Sequence, residues 1–255
     1  MKQIFGKING TYLFIILQTI LYGSFLVLDL SDGNISLSNG IKFTLIVLCF
    51  CYVFLNQEST DKSILYCLRA ALFFTVISDL FILLLDYYLY GVISFLIVQQ
   101  LYGLRLDIVN SRNRESGKGK PLFQTVILRF ALQVIITAGI CLLVSRMGVK
   151  PDNLLIVTAL YFISILTNVI YSVLIAFYSH RKSSDKVFAL GMILFLLCDI
   201  NVGLFNLTDF ITIPEDFYRI LYSLSTILMW TFYAPSQVLI ALSVKRTQQN
   251  RQKNG

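Results

Sequence analysis

Long apolar runs, broken at short intervals by charged or turn-forming residues, dominate the chain. They lie at about residues 12–30, 41–55, 64–85, 87–106, 122–144, 154–178, 187–205 and 217–244. A bilayer core about 30 Å thick needs roughly 20 apolar residues per helical crossing, and all but the short second run meet that length comfortably. The third and fourth runs are parted only by Asp86-Tyr87-Tyr88, which predicts a tight helical hairpin; fusing them would give seven spans. The pattern therefore predicts an all-α fold, a polytopic transmembrane helical bundle of about eight spans, as one transmembrane domain over residues 1–255. The first run lacks a small-residue cleavage site and fits the alternation of the others, so it reads as a span and not as a signal peptide.

Charge placement orients these spans. The N-terminus, the loops after spans two, four and six, and the C-terminus hold Lys2, Lys7, Lys62, Arg105, Arg112, Arg114, Lys118, Lys120, Arg181, Lys182, Lys186, Lys245, Arg246, Arg251 and Lys253. The opposite side holds Lys42, Arg146, Lys150 and Arg219. Short cytoplasmic loops carry the excess of Lys and Arg, so both ends are expected in the cytoplasm of a multi-pass plasma-membrane protein. Arg69 and Arg129 fall inside spans, a turn or two from that face, and are expected to snorkel to the headgroups.

Composition agrees and narrows the classes. Of 255 residues, 56% are hydrophobic and 14% charged, with a mean hydropathy of +0.74; soluble domains are about a quarter charged. The net charge of +7 comes from loops between spans, where clustered cations meet anionic lipid headgroups, so membrane lipids and not nucleic acid are the expected partners. All five cysteines (Cys49, Cys51, Cys67, Cys141 and Cys198) fall in apolar runs, and the single histidine, His180, abuts Arg181 and Lys182. No metal site, disulfide or cofactor is implied.

Two carboxylates lie deep within spans. Asp79 and Asp199 each precede the predicted outer end of their span by six residues, about 9 Å at 1.5 Å per residue. Buried acids are costly in a membrane and face a protein interior or a wet cavity, so similar depth predicts that the two share one. Other helices carry polar residues at helical spacing: Tyr161, Ser164, Asn168 and Tyr171 on the sixth, and Tyr222, Thr226, Tyr233 and Gln237 on the eighth. Gln99 and Tyr102 share a face of the fourth. Pro235 must free the carbonyl of Thr231. Interhelical hydrogen bonding alone would explain the hydroxyl and amide positions, but a lone buried carboxylate contributes poorly to packing.

These segments resemble the YhhN-type lysoplasmalogenases. Ser78-Asp79-Leu80 is similar to that family's Gly-Asp-x-Leu-Leu motif, with serine for glycine. Ser94 to Tyr102 resembles Ala-Phe-x-x-Ala-His-x-x-Tyr, with Gln99 in place of the histidine. Gly191 to Asp199 resembles Gly-x-x-x-Phe-x-x-Ser-Asp, with Cys198 for serine. Tyr233 to Ser243 resembles the closing Tyr-x-x-x-Gln-x-Leu-Ile-Ala segment, and Lys42 resembles a Lys-Pro whose proline is Phe43 here.

The resemblance implies a hydrolase that cleaves the vinyl ether bond of a lysophospholipid, with Asp79 and Asp199 as the catalytic pair. Gln99, Tyr102, Tyr233 and Gln237 would orient water or substrate; Lys42, from its position near the outer end alone, is expected to meet the lipid phosphate. The placement of the two acids in spans three and seven also suggests a parallel repeat of two four-helix halves, as in some transporters. A small-solute or lipid transporter, a lipid-binding protein without turnover and a ligand-sensing receptor are the alternatives. Only eleven residues follow Val244, which leaves no room for an output domain there. The oligomeric state is not encoded in any feature above.

Overall fold

The computed structural model describes residues 2–31, 33–55, 61–113, 122–146, 148, 150–178, 183–206 and 214–244. Arg114, Lys118, Lys120, His180, Arg181, Lys182 and the tail from Lys245 lie outside the described residues. Eight helices follow one another: α1 (Lys2–Leu30), α2 (Ile35–Leu55), α3 (Lys62–Asp79), α4 (Tyr88–Asn113), α5 (Leu122–Arg146), α6 (Asn153–Tyr178), α7 (Ser183–Phe205) and α8 (Glu215–Leu242). Each contains a stretch long and apolar enough to cross a membrane, and the described residues hold no strand. The protein is a multi-pass membrane protein. Consecutive crossings put both described chain ends at one face of the bundle, the terminal end; the 31–34 and 85–87 turns mark the far end.

Residues 85–87 form the hairpin that the sequence predicts. The ladder of α3 widens after Asp79 into a π turn over Leu80–Leu84, in which the Leu85 amide bonds the Leu80 carbonyl at 3.1 Å. Asp86 adopts a left-handed φ of 59° and reverses the chain. Gly91 then permits close approach, because a Cβ there would strike Ile82, while Ser78 Oγ donates to the Gly91 carbonyl at 2.6 Å. Gly191 does the same for α7 and α8, facing the Ser236 carbonyl and Ile240. Small residues of this kind let helices reach van der Waals contact where no hydrophobic drive separates them from lipid.

Six helices close a ring in the order α2, α3, α4, α6, α7, α8, with α8 returning to α2. The other two stand outside it: α1 packs on α2 and α8, and α5 on α4 and α6. A shift of four helices carries α1 to α5, α2 to α6 and so on, and each adjacency maps onto another, so the contact pattern has the parallel two-fold repeat expected from the sequence. Burial agrees, since 56% of the apolar window of α4 is buried against 17% for α1 and for α5. Gln18 on α1 and Gln133 on α5 are counterparts that both turn inward. Gln18 bonds the Leu45 carbonyl and Cys49 Sγ, and Gln133 meets Gln100 and Ser164. Tyr22 reaches across from α1 to the carbonyl of Thr231, which Pro235 has released from its own helix.

Three expectations are corrected. Arg105 is not a loop cation: α4 runs on to Asn113, and Arg105 is buried inside the span, with Asp185 and the Phe188 ring beside it. Arg129 does not snorkel. It points inward against Gly103, where a Cβ would collide with the guanidinium, and its Nη1 sits 2.9 Å from Asp107. Tyr222 and Thr226 face outward, with Tyr222 stacked on Phe205 at the far end. Successive steps of four on a 3.6-residue helix drift sideways, so a stripe that begins at Tyr222 has turned away from the face of Gln237. Arg69 bonds carbonyls in the last turn of α2, those of Val53 and Phe54.

Candidate active site

The far half of the ring holds two carboxylate–tyrosine pairs. Asp79, at the end of α3 and 3% exposed, accepts a 2.7 Å hydrogen bond from the Tyr233 hydroxyl of α8. Asp199, half-buried on α7, accepts one of 2.6 Å from the Tyr161 hydroxyl of α6. Among the described residues neither carboxylate has a cation at ion-pair distance. The two pairs share one neighbourhood. Phe95 of α4 lies between them, its ring 6.0 Å from that of Tyr161 and 6.2 Å from that of Tyr233. Phe195 packs on both Phe95 and Tyr233, and Cys198 lies within electrostatic reach of both acids.

Unpartnered polar atoms surround this pair. Gln99 is fully buried; its carbonyls, main-chain and side-chain, accept from Asn168 Nδ2 at 2.7 and 3.0 Å, and its Nε2 lies near the Tyr161 hydroxyl without closing a hydrogen bond. Gln237 Oε1, Asn168 Oδ1 and Gln18 Oε1 lack partners, the Tyr102 hydroxyl has only a loose approach to Thr75, and every one of these side chains is at least 97% buried. They are contiguous. Gln18 bonds Cys49, Cys49 lies within reach of Asp79, and Tyr102 lies within reach of both Cys49 and Tyr233. Nearly all buried polar groups in proteins are paired, so a group of orphans in one place marks where water or a polar ligand belongs.

Lys42 is differently placed. Its ammonium is buried, 2.8 Å from Asp29 and 4.8 Å from the centre of the Trp230 ring. Asp29 also accepts from Ser38 Oγ at 2.5 Å. Lys42 therefore ties α1 to α2 and walls the site through Trp230, which packs on Tyr233. It is not offered to a headgroup at the surface.

Of the residues expected from the sequence, the structure brings together Asp79, Asp199, Gln99, Tyr102 and Tyr233, with Gln237 one turn beyond Tyr233. Sequence reading missed three others. Tyr161 and Asn168 were visible as a polar stripe without a role, and their role depends on which helix faces α6. Gln18 is an amide in the middle of an apolar span, a signal of the same kind as Gln99.

The YhhN family model matches residues 37–244. No curated protein and no solved structure matches the chain. The matched stretch covers nearly all of α2 and the rest of the chain through α8, the closed ring and both aspartates included, and leaves out the whole of α1, with its inward amide Gln18. The chain belongs to the YhhN family.

Proposed function

We propose that this protein hydrolyses the vinyl ether bond of a lysoplasmalogen, releasing a fatty aldehyde and a glycerophospho-headgroup. The observation that carries this reading is the pair of uncompensated carboxylates, each held by a tyrosine hydroxyl, on either side of Phe95. A buried acid without a cation contributes little to packing and much to chemistry in which charge must appear and disappear.

The reaction needs such a pair. One carboxyl gives its proton to the β-carbon of the vinyl ether, and the π electrons form the new C–H bond, leaving an oxocarbenium ion. The other, ionised, faces that cation and takes a proton from the water that adds to it. The resulting hemiacetal loses the glycerol oxygen, which leaves with a proton, and becomes the aldehyde. Two carboxyls in different protonation states suit these steps, and low dielectric strengthens both effects. Gln99 can neither give nor take a proton, so proton transfer falls to the aspartates. Its free amide donor, with Tyr102 and Gln237, suits the holding of water. The orientation with both ends in the cytoplasm, and residence in the plasma membrane, belong to the same proposal and rest on the loop cations.

Purified protein in detergent micelles should release aldehyde from a lysoplasmalogen, because an enzyme needs no sealed compartment. Solute movement across sealed vesicles without aldehyde release would favour the transporter reading. Binding of the lipid with neither would favour a lipid-binding protein.

A further inference from the structure

Arg105 is a buried cation with donors to spare. It lies on α4 one turn beyond Tyr102 and is 2% exposed. Its guanidinium sits over the Phe188 ring, 3.8 Å from the centroid, and its Nη2 is 3.7 Å from Asp185 Oδ1. That separation balances charge but is too long for a hydrogen bond. Arg105 Nε has no acceptor. The hydroxyl of Tyr102, whose ring meets the same Phe188 edge to face at 5.5 Å, lies near Thr75 without closing a hydrogen bond.

Arg129 makes a shorter ion pair in the same half of the bundle, although its Nε and Nη1 also lack hydrogen-bond acceptors. Its Nη1 is 2.9 Å from Asp107, and its Nη2 leans toward the Gln100 carbonyl. Asp185 stands off where Asp107 closes in. A guanidinium presents five N–H donors in a planar fork that matches the oxygens of a phosphate, and leaving even one of them, here Nε, without an acceptor in low dielectric is costly. An arriving anion would remove that cost and would also find the Tyr102 hydroxyl.

We propose that Arg105, with Tyr102, binds the phosphate of the substrate headgroup inside the bundle. Tyr102 lies within electrostatic reach of both Arg105 and Asp79. It thus stands between the acids and the guanidinium as glycerol stands between the vinyl ether and the phosphate. The substrate would lie with its headgroup toward the terminal end and its scissile bond at Asp79 and Asp199. The substrate's identity rests on the hydrolase reading; the anion site does not.

Two readouts separate these claims. In the first, the thermal stability of the full-length protein in detergent is measured with a lysophosphatidylcholine, with a monoacylglycerol of the same chain, and with inorganic phosphate alone. The phosphate-bearing lipid should stabilise more than the neutral one. That preference should vanish in Arg105→Gln and survive in part in Arg105→Lys. Equal stabilisation by both lipids, a preference retained by Arg105→Gln, or a full shift from inorganic phosphate alone would overturn the headgroup assignment.

In the second, kcat/KM is compared for an alkenyl-glycerophospholipid and for the alkenylglycerol that lacks the phosphate. Arg105→Gln should lower the ratio of the two by roughly 10–100-fold, the range of one or two charge-assisted hydrogen bonds. An unchanged ratio means that Arg105 does not read the phosphate. If Arg105→Gln does not fold, Tyr102→Phe carries the test, with a several-fold fall expected in the same ratio. If the parent cleaves neither substrate, the hydrolase reading fails while the thermal comparison still decides the anion site.

Discussion

Buried charge in the bundle is treated in two opposite ways: most of it is paired, Lys42 with Asp29 at the far end included, and two acids are not. At the terminal end, cations have carboxylates beside them: Arg129 with Asp107 inside, Arg105 with Asp185 at longer range, and Arg112 with Asp61 at the rim. In the far half of the ring, Asp79 and Asp199 have only hydroxyl donors, from Tyr233 and Tyr161. A paired charge can be structural, since each partner lowers the cost of burying the other. A carboxylate held only by a phenol keeps most of that cost, and the fold retains two of them at similar depth. The contrast separates closely paired charge, which is structural, from the two aspartates, which are placed for chemistry, and substitution should split the two along that line.

The largest effect is expected in the far half, on rate. Asp79→Asn and Asp199→Asn keep size and hydrogen bonding but remove the proton and the negative charge. Each should lower turnover by roughly 10²–10⁴-fold, or about 3–5 kcal/mol of transition-state stabilisation, with thermal stability unchanged or raised. If both variants turn over like the parent, the aspartates belong with the structural charges.

Asp107→Ala should do the reverse. It leaves Arg129 buried and unpaired, at a cost of about 3–5 kcal/mol in stability that a second change, Arg129→Met, should largely restore. Thermal or denaturant unfolding of the two variants checks this. A mild single variant, or a double variant no better than the single, would mean that the pair is not structural. Smallest should be Tyr161→Phe and Tyr233→Phe, each losing one hydrogen bond to a charged group, about 1.5–3 kcal/mol. The loss should appear in kcat more than in stability if the hydroxyls hold the carboxyls for reaction, and in stability alone if they serve only to bury them.

Much of this was legible in the sequence, and the rest failed for identifiable reasons. Span number and the Asp86 hairpin follow from run lengths and a break too short to cross a headgroup layer. Asp79 and Asp199 stand out because an acid in an apolar run has few cheap explanations. Arg105 and Arg129 were misplaced because position along a span says how deep a cation lies, not which way it faces. Gly103 is what lets Arg129 face inward, and its effect depends on α5 lying against α4, a fact of the packing. Lys42 was assigned to lipid on depth alone, whereas Asp29, near the end of the preceding span, claims it first. Tyr161 could be placed on an inward stripe but not matched to Asp199 until α6 and α7 were known to be neighbours in the ring.

The central claim is that carboxyl acids in the far half protonate a vinyl ether carbon, and the isotope content of the product tests it most directly. The purified protein is supplied with lysoplasmalogen in D₂O, and the aldehyde is trapped at once before it can enolise. Protonation at the β-carbon places one deuterium on the carbon next to the aldehyde group, and Asp79→Asn and Asp199→Asn should suppress that labelled product together. Aldehyde that forms without deuterium, or labelled aldehyde that forms equally well in both variants, would contradict the account.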